Sequence, residues 1–195
     1  MDERVRGTMD RQKEEAALVK RVSSHDADAF NELMLRFLPM IERYTFRLCR
    51  STEITEDVVQ ETFLRLWQGA DRYDPAKATL STWLHRIAHN LCMDLFRKHQ
   101  RLSPLPDDWE GELSDSTVNG TDNANTPQSA FEQHRKTAQV AEALDALPER
   151  QRSVLLLSYF QGFSNQEIGT IHDLSITAVE SLLARARRNL TKRLL

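Results

Sequence analysis

Only two cysteines, Cys49 and Cys92, occur in the 195 residues, too few and too scattered for a secreted disulfide framework or a closed four-ligand zinc site. A reducing cytoplasm is the expected compartment. Glycine and proline are also scarce, six of each, which suits a helical chain more than a turn-rich β fold. No stretch of alternating β-branched residues appears to contradict that. No apolar run approaches the roughly 20 residues needed to cross a bilayer, and the N-terminus, MDERVRGTMDRQKEE, is charged where a secretory signal would be apolar. Export and membrane insertion are not expected. There is no nucleophile elbow, phosphate-binding glycine loop or convincing carboxylate pair, so neither an enzyme nor a cofactor is expected.

What the chain does have is segregated charge. Its formal net charge is −3 and its isoelectric point about 6.1, which taken whole argues against nucleic acid as a partner. Yet the segment 102–130 holds Asp107, Asp108, Glu110, Glu112, Asp115 and Asp122 and no basic residue, so the remainder is net positive. That segment is rich in Pro, Ser, Thr, Asn and Gly without sustained periodicity and reads as a flexible acidic linker. The expected organisation is all-α: a flexible extension over 1–13, a helical domain over 14–101, the linker over 102–130, and a second helical domain over 131–195.

In the first domain, EEAALVKRVSS and ADAFNELMLRFLPMIERYTFRLCR predict two helices, the second capped by Asp26 or Asp28 and open to a kink at Pro39. TEDVVQETFLRLW predicts a third, with Val59, Phe63 and Leu66 as core stripe and Asp57, Gln60, Glu61 and Leu64 on another face. After a break at Gly69 and Pro75, TLSTWLHRIAHNLCMDLFRKHQR predicts a long helix with Leu84, Ile87, Ala88, Leu91 and Leu95 facing the core. Trp83, Arg86, Asn90 and Arg97 form a second stripe, cationic with an aromatic at its head. Such a face suits a nucleic-acid strand, guanidinium to phosphate and indole to an unpaired base, although a solvated charged face and a core Trp would leave the same pattern. His85, His89 and Cys92 fall at i, i+4 and i+7, as three zinc ligands would. A metal site is not expected there, because Arg86 stands where a zinc protease has its Glu and no fourth ligand is evident; polar surface histidines and a small packing cysteine are the expectation.

The second domain carries the more specific signal. HRKTAQVAEALDAL, stopped by Pro148, and ERQRSVLLLSYFQG, ending near Gly162, predict two helices. SNQEIGTIHDLSITAVESLLARARRNL then predicts helix, tight turn and helix. Ser164 and Glu167 match a capping box; Ser175 or Thr177 can cap the longer helix, with Glu180 three residues beyond Thr177. Gly169 suits a close helix crossing, Asp173 a left-handed turn, and Val179 packing back onto the first helix. Four independent positions agree on a helix-turn-helix.

Taken in order, TEDVVQETFLRLW, TLSTWLHRIAHNLCMDLFRK, LPERQRSVLLLSYFQGFSNQEIG and AVESLLARARRNL, with an acidic linker between the pairs, resemble the extracytoplasmic-function (ECF) class of sigma-70 family RNA polymerase sigma factors. The resemblance covers nearly all of the chain except the first dozen residues and the linker. It implies that the first domain is sigma region 2 and the second sigma region 4, and that the partners are core RNA polymerase (beta and beta-prime subunits), promoter DNA and an anti-sigma factor. It implies that Asp57, Gln60, Glu61 and Leu64 dock on the polymerase clamp. Arg72, Tyr73, Lys77, Trp83, Arg86, Asn90, Arg97 and Lys98 then serve the downstream promoter element and the opened strand. Ser175, Thr177, Ala178, Glu180, Ser181, Arg185, Arg187 and Arg188 serve the upstream element in the major groove. Many relatives carry a basic residue where Glu180 and Leu182 stand, so this reading surface is less cationic than theirs. A helix-turn-helix regulator that is not a sigma subunit would explain the second domain but leave EDVVQETFLRLW without a task, and a helical adaptor would leave the Arg-rich terminal helix unexplained.

Overall fold

The computed structural model describes residues 3–102 and 138–195, and among these every regular element is helical. The acidic segment expected as a linker lies outside the described residues. Helix α1 runs Glu3–Ser23, α2 Ala27–Cys49, α3 Thr52–Gly69 and α4 Leu80–Leu102. A short helical stretch over 138–145 is α5. Then come α6 (Glu149–Leu155), which runs on into a π-turn over Leu156–Phe160, α7 (Asn165–His172) and α8 (Ile176–Leu194). Residues 3–13, expected as part of an extension, are the first turns of α1.

Helix ends are set by side chains that take up free backbone N–H groups. The Asp26 carboxylate accepts from the N–H groups of Asp28 and Ala29, both at 3.0 Å, and starts α2. Ser51 does the same for α3, accepting from Ile54 N at 3.2 Å, and Thr79 for α4, accepting from Thr82 N at 3.1 Å. Pro39 stands inside α2 on its exposed face, where water can reach the carbonyl its ring leaves without a helical partner.

The first domain packs around α2, whose Leu33, Phe37, Ile41, Tyr44 and Leu48 are buried at helical spacing against Val19 and Val22 of α1, Leu66 of α3 and Leu84 and Ala88 of α4. The stripe on α3 is rotated from the expected one. Val58, Thr62 and Leu66 are buried a turn apart with Phe63 beside them, and Val59 only edges the core. A threonine can occupy the inner face because its hydroxyl donates to Val58 O at 2.6 Å and so leaves no polar atom unpaired. On α4, Ile87, Leu91 and Leu95 are half-buried.

The second domain gathers Leu144, Leu147, Val154, Ile168, Ile171, Val179, Leu183 and Ala186. In the π-turn, Gln161 N donates to Leu156 O at 3.1 Å. The wider loop buries Leu156 and Leu157 together and turns Tyr159 and Phe160 outward. The two domains meet face to face: α7 packs along α4, while α6 and the π-turn pack on α2. Arg50 Nε donates to Asp145 Oδ1 at 2.8 Å, and Gln161 Nε2 to Met40 O at 3.3 Å, across this seam.

Candidate protein and nucleic-acid interfaces

The helix-turn-helix is built as its residues demand. Ser164 Oγ accepts from Glu167 N at 3.3 Å while the Glu167 carboxylate accepts from Ser164 N at 2.9 Å, a reciprocal cap on α7. Asp173 takes the left-handed conformation at φ 56°. Leu174 N then closes the turn onto Gly169 O at 2.9 Å. A Cβ on Gly169 would stand 2.7 Å from Leu174 O, with Val179 Cγ2 at 3.9 Å. Glycine is therefore required by space, since its own φ is ordinary.

Helix α8 is capped by Ser175, whose Oγ accepts from Ala178 N at 3.2 Å. Thr177 therefore lies within the first turn, and the expected Thr177–Glu180 capping box does not form: Glu180 is exposed in the second turn without a capping role. Val179, Leu183 and Ala186 face inward. The opposite face presents Thr177, Ser181, Ala184 and Arg188 a turn apart, flanked by Glu180 and Arg187 on one side and Arg185 on the other. Ala178, expected on this face, is half-buried, and Ser175 has its hydroxyl committed to the cap. Ala184, which the sequence pattern did not single out, sits central to the stripe. Arg187 lies over the Tyr159 ring at 5.5 Å, which fixes one flank.

On α3, Asp57, Gln60 and Leu64 are exposed and Glu61 is half-buried, paired with Arg65 at 2.8 Å. Leu64, 43% exposed, gives this face an apolar centre among acids. On α4, Arg86, Asn90, Arg97 and Lys98 are exposed, and Arg97 pairs with Asp94. Trp83 is half-buried, its ring tilted against Tyr73 at 5.7 Å. Burial raises the Tyr73 hydroxyl pKa to about 12, and this hydroxyl donates to Ala78 O at 3.2 Å. The loop bearing exposed Arg72 and Lys77 is thereby held against the start of α4.

The histidines of α4 are not surface residues. His85 is fully buried and His89 only 5% exposed, because Phe163 packs on the first and His172 of α7 and Ser153 of α6 on the second. His85 Nδ1 donates to Ser81 O at 2.8 Å, and its Nε2 has no partner; the ring packs edge-on to Phe163 at 4.8 Å. His89 Nδ1 lies 3.0 Å from Tyr44 Oη and 3.2 Å from Ser153 Oγ; the two hydroxyl oxygens are 2.9 Å apart, and Ser153 Oγ is 3.0 Å from His172 Nε2. Four helices, two from each domain, thus share one polar chain that is buried at Tyr44, His89 and Ser153 and half-buried at His172. Burial is the main cause that lowers all three imidazoles: His85 to about 4, His89 to about 3 and His172 to about 4. The nearby positive charge of Arg150 adds to the effect at His89 and His172. No sequence signal links Tyr44 or Ser153 to these rings, because Tyr44 is 45 residues from His89, and Ser153 is 64 from His89 and 19 from His172.

Family models match these same two bundles: sigma-70 region 2 over residues 33–102 and sigma-70 region 4 over residues 137–190. The chain belongs to the sigma-70 family. Its relatives place it in the ECF class. It is 29% identical over 164 residues to the ECF RNA polymerase sigma factor SigE of Mycolicibacterium smegmatis, covering 83% of this chain and 60% of that one. It is 28% identical over 186 residues to SigW of Bacillus subtilis, covering 90% and 94%. The solved structure of CnrH in complex with the cytosolic domain of CnrY aligns at a TM-score of 0.67 and 25% identity, over 92% of this chain and 96% of that one.

Proposed function

We propose that this chain binds core RNA polymerase through the α3 face, directs it to promoters by reading an upstream element with α8, and helps open the DNA with α4. The observation that carries this reading is the coexistence, in family order, of a complete helix-turn-helix and a free acidic face on α3 with apolar Leu64 at its centre. Asp57, Gln60, Glu61 and Leu64 are the contacts to the beta-prime clamp, and region 4 reaches the beta subunit. Arg72, Lys77, Arg86, Asn90, Arg97 and Lys98 follow the downstream strand, while Tyr73 positions Trp83 for stacking. Thr177, Ser181, Ala184 and Arg188 enter the major groove with Glu180, Arg185 and Arg187 beside them.

The chain acts as an initiation factor, not a catalyst, and in the cytoplasm; no helix among the described residues is long and apolar enough to cross a membrane. An anti-sigma factor is the expected regulator, by analogy with CnrH, which is held by a domain of another protein in its solved complex. Purified core polymerase tests the proposal. Specific run-off transcripts from a promoter library, dependent on added protein, are expected. DNA binding without retention of core polymerase would favour a helix-turn-helix regulator instead.

A further inference from the structure

We propose that the Tyr44–Ser153–His89–His172 network is a proton-sensitive latch that holds the two domains closed on one another and releases them when its histidines take up protons.

The network lies on the seam, with Tyr44 from α2, His89 from α4, Ser153 from α6 and His172 from α7. Counting protons fixes its state. With both rings neutral, His172 Nε2–H donates to Ser153, Ser153 O–H to Tyr44 and Tyr44 O–H to His89 Nδ1, or the whole chain runs in reverse; the further 3.2 Å contact of Ser153 Oγ with His89 Nδ1 uses the same ring nitrogen and adds no acceptor. Each arrangement needs one ring nitrogen as donor and the other as acceptor. Protonating the accepting ring makes both ends donors and leaves one buried hydroxyl hydrogen without an acceptor. That is a cost the buried site cannot relieve.

The rings are also close, tilted by 46° with centroids 4.1 Å apart, so two imidazoliums would repel across the seam. The surroundings offer no compensation. From α2 come Tyr44 and the Cys49 thiol; from α4, the Cys92 thiol and His85, whose Nε2 has no hydrogen-bond partner and whose ring packs on Phe163. From α6 comes Arg150, which also disfavours the charged rings. On α7 the Glu167 carboxylate is engaged with Ser164 and Thr82, not with the histidines.

The sign follows from the histidine values. The closed form holds these rings at about 4, 3 and 4, whereas a solvated histidine titrates near about 6.5. The closed form therefore binds fewer protons than the open one below that value. Closure is full above about pH 6.5 and is lost progressively as pH falls toward the closed-state values. Between pH 7.5 and 5.5 the ratio of closed to open falls about tenfold for each histidine released, about a hundredfold for His89 and His172 together.

Closure matters because α4 and α7 touch, with Thr82 Oγ1 donating to Glu167 Oε1 at 3.3 Å. Domains clamped in this way hold the α4 face and α8 in one fixed placement and leave no freedom to span two elements of one duplex that lie a helical turn, about 34–36 Å, or more apart. This consequence rests on the promoter-reading role proposed above; the latch itself does not. Small-angle scattering of the free full chain tests it without polymerase or DNA, so its failure is separate from a failure of run-off transcription. The radius of gyration is expected to rise between pH 7.5 and 5.5 while far-ultraviolet circular dichroism is unchanged, with uptake of about two protons by the linkage slope. The H89Q/H172Q protein should lose most of this response, keeping at most the roughly tenfold share that His85 contributes. An equal radius at both pH values, an expansion without proton uptake, or the same pH-dependent expansion in the double variant would overturn the latch.

Discussion

Glu180 stands in the second turn of α8, beyond the reach of the Ser175 cap and exposed. A carboxylate there gains little from the helix dipole, whose effect fades within the first turn, and it is poorly placed against phosphate. On the proposed promoter-reading role of α8, it can act as an acceptor for the exocyclic amine of cytosine in the major groove, a pairing that discriminates by about 1–3 kcal/mol. Glu180→Gln keeps the length, removes the charge and presents an amide suited to adenine. Selection from duplexes randomised in the upstream element is expected to return a motif changed at one position, with thermal stability within about 0.5 kcal/mol of the parent because the site is exposed. An identical selected motif would remove Glu180 from base reading. The Thr-x-x-Glu spacing was ambiguous in sequence because Ser175 and Thr177 are both good caps. Ser175 is the one whose hydroxyl meets a free N–H, and that choice moves Glu180 out of the cap.

At the scale of elements, the α7–turn–α8 unit depends on Gly169. The contact of 2.7 Å that a Cβ would make is with backbone oxygen of Leu174, in the residue whose N–H closes the turn, so no side-chain rotation relieves it. Gly169→Ala should destabilise the protein by about 1–3 kcal/mol, the usual cost of overpacking, read as a lower midpoint in thermal denaturation; an unchanged midpoint would show that the turn can shift freely. This unit was legible because caps, a close crossing and a left-handed residue each restrict residue type locally. The face of α3 was legible as well, but its core stripe was misread by one position. Val58 and Val59 are equally apolar, and only the neighbouring helices decide which points inward. On α4, Trp83 takes an intermediate position, half-buried against Tyr73, so its burial alone does not separate packing from stacking. Trp83→Ala should reduce open-complex formation, followed by 2-aminopurine fluorescence in the melted segment, by about tenfold or more. Closed-complex affinity should stay near the parent value, since base stacking worth about 1–3 kcal/mol exists only after strands part. Equal loss at both stages would make Trp83 a packing residue alone.

For the whole molecule, the seam between the domains was illegible: His85, His89 and Cys92 at helical spacing say that one face of α4 is distinctive, but not that α7 covers it. Long-range burial inverted the expected surface character of the two histidines. Charge segregation, in contrast, is carried by sequence alone. The formal charge of −3 arises because Asp107, Asp108, Glu110, Glu112, Asp115 and Asp122 outweigh a net positive remainder. Arg185, Arg187 and Arg188 on α8 and Arg86 and Lys98 on α4 are exposed cations, and tethered carboxylates compete with phosphate for such groups. The competition is electrostatic, so it is strongest at low salt and screened over a Debye length of about 10 Å at 0.1 M. Converting all six acids to their amides leaves every described residue untouched and turns the net charge positive. The free variant should bind duplex DNA more tightly than the parent, with a steeper fall of log K against log salt concentration because more counterions are released. Fluorescence anisotropy titrations between 50 and 200 mM salt, a range over which about 10³–10⁵ in affinity is lost when 6–10 phosphates are contacted, are sensitive enough to read the difference. The same affinity and slope for both proteins would mean that the six carboxylates do not compete with DNA for the basic helices.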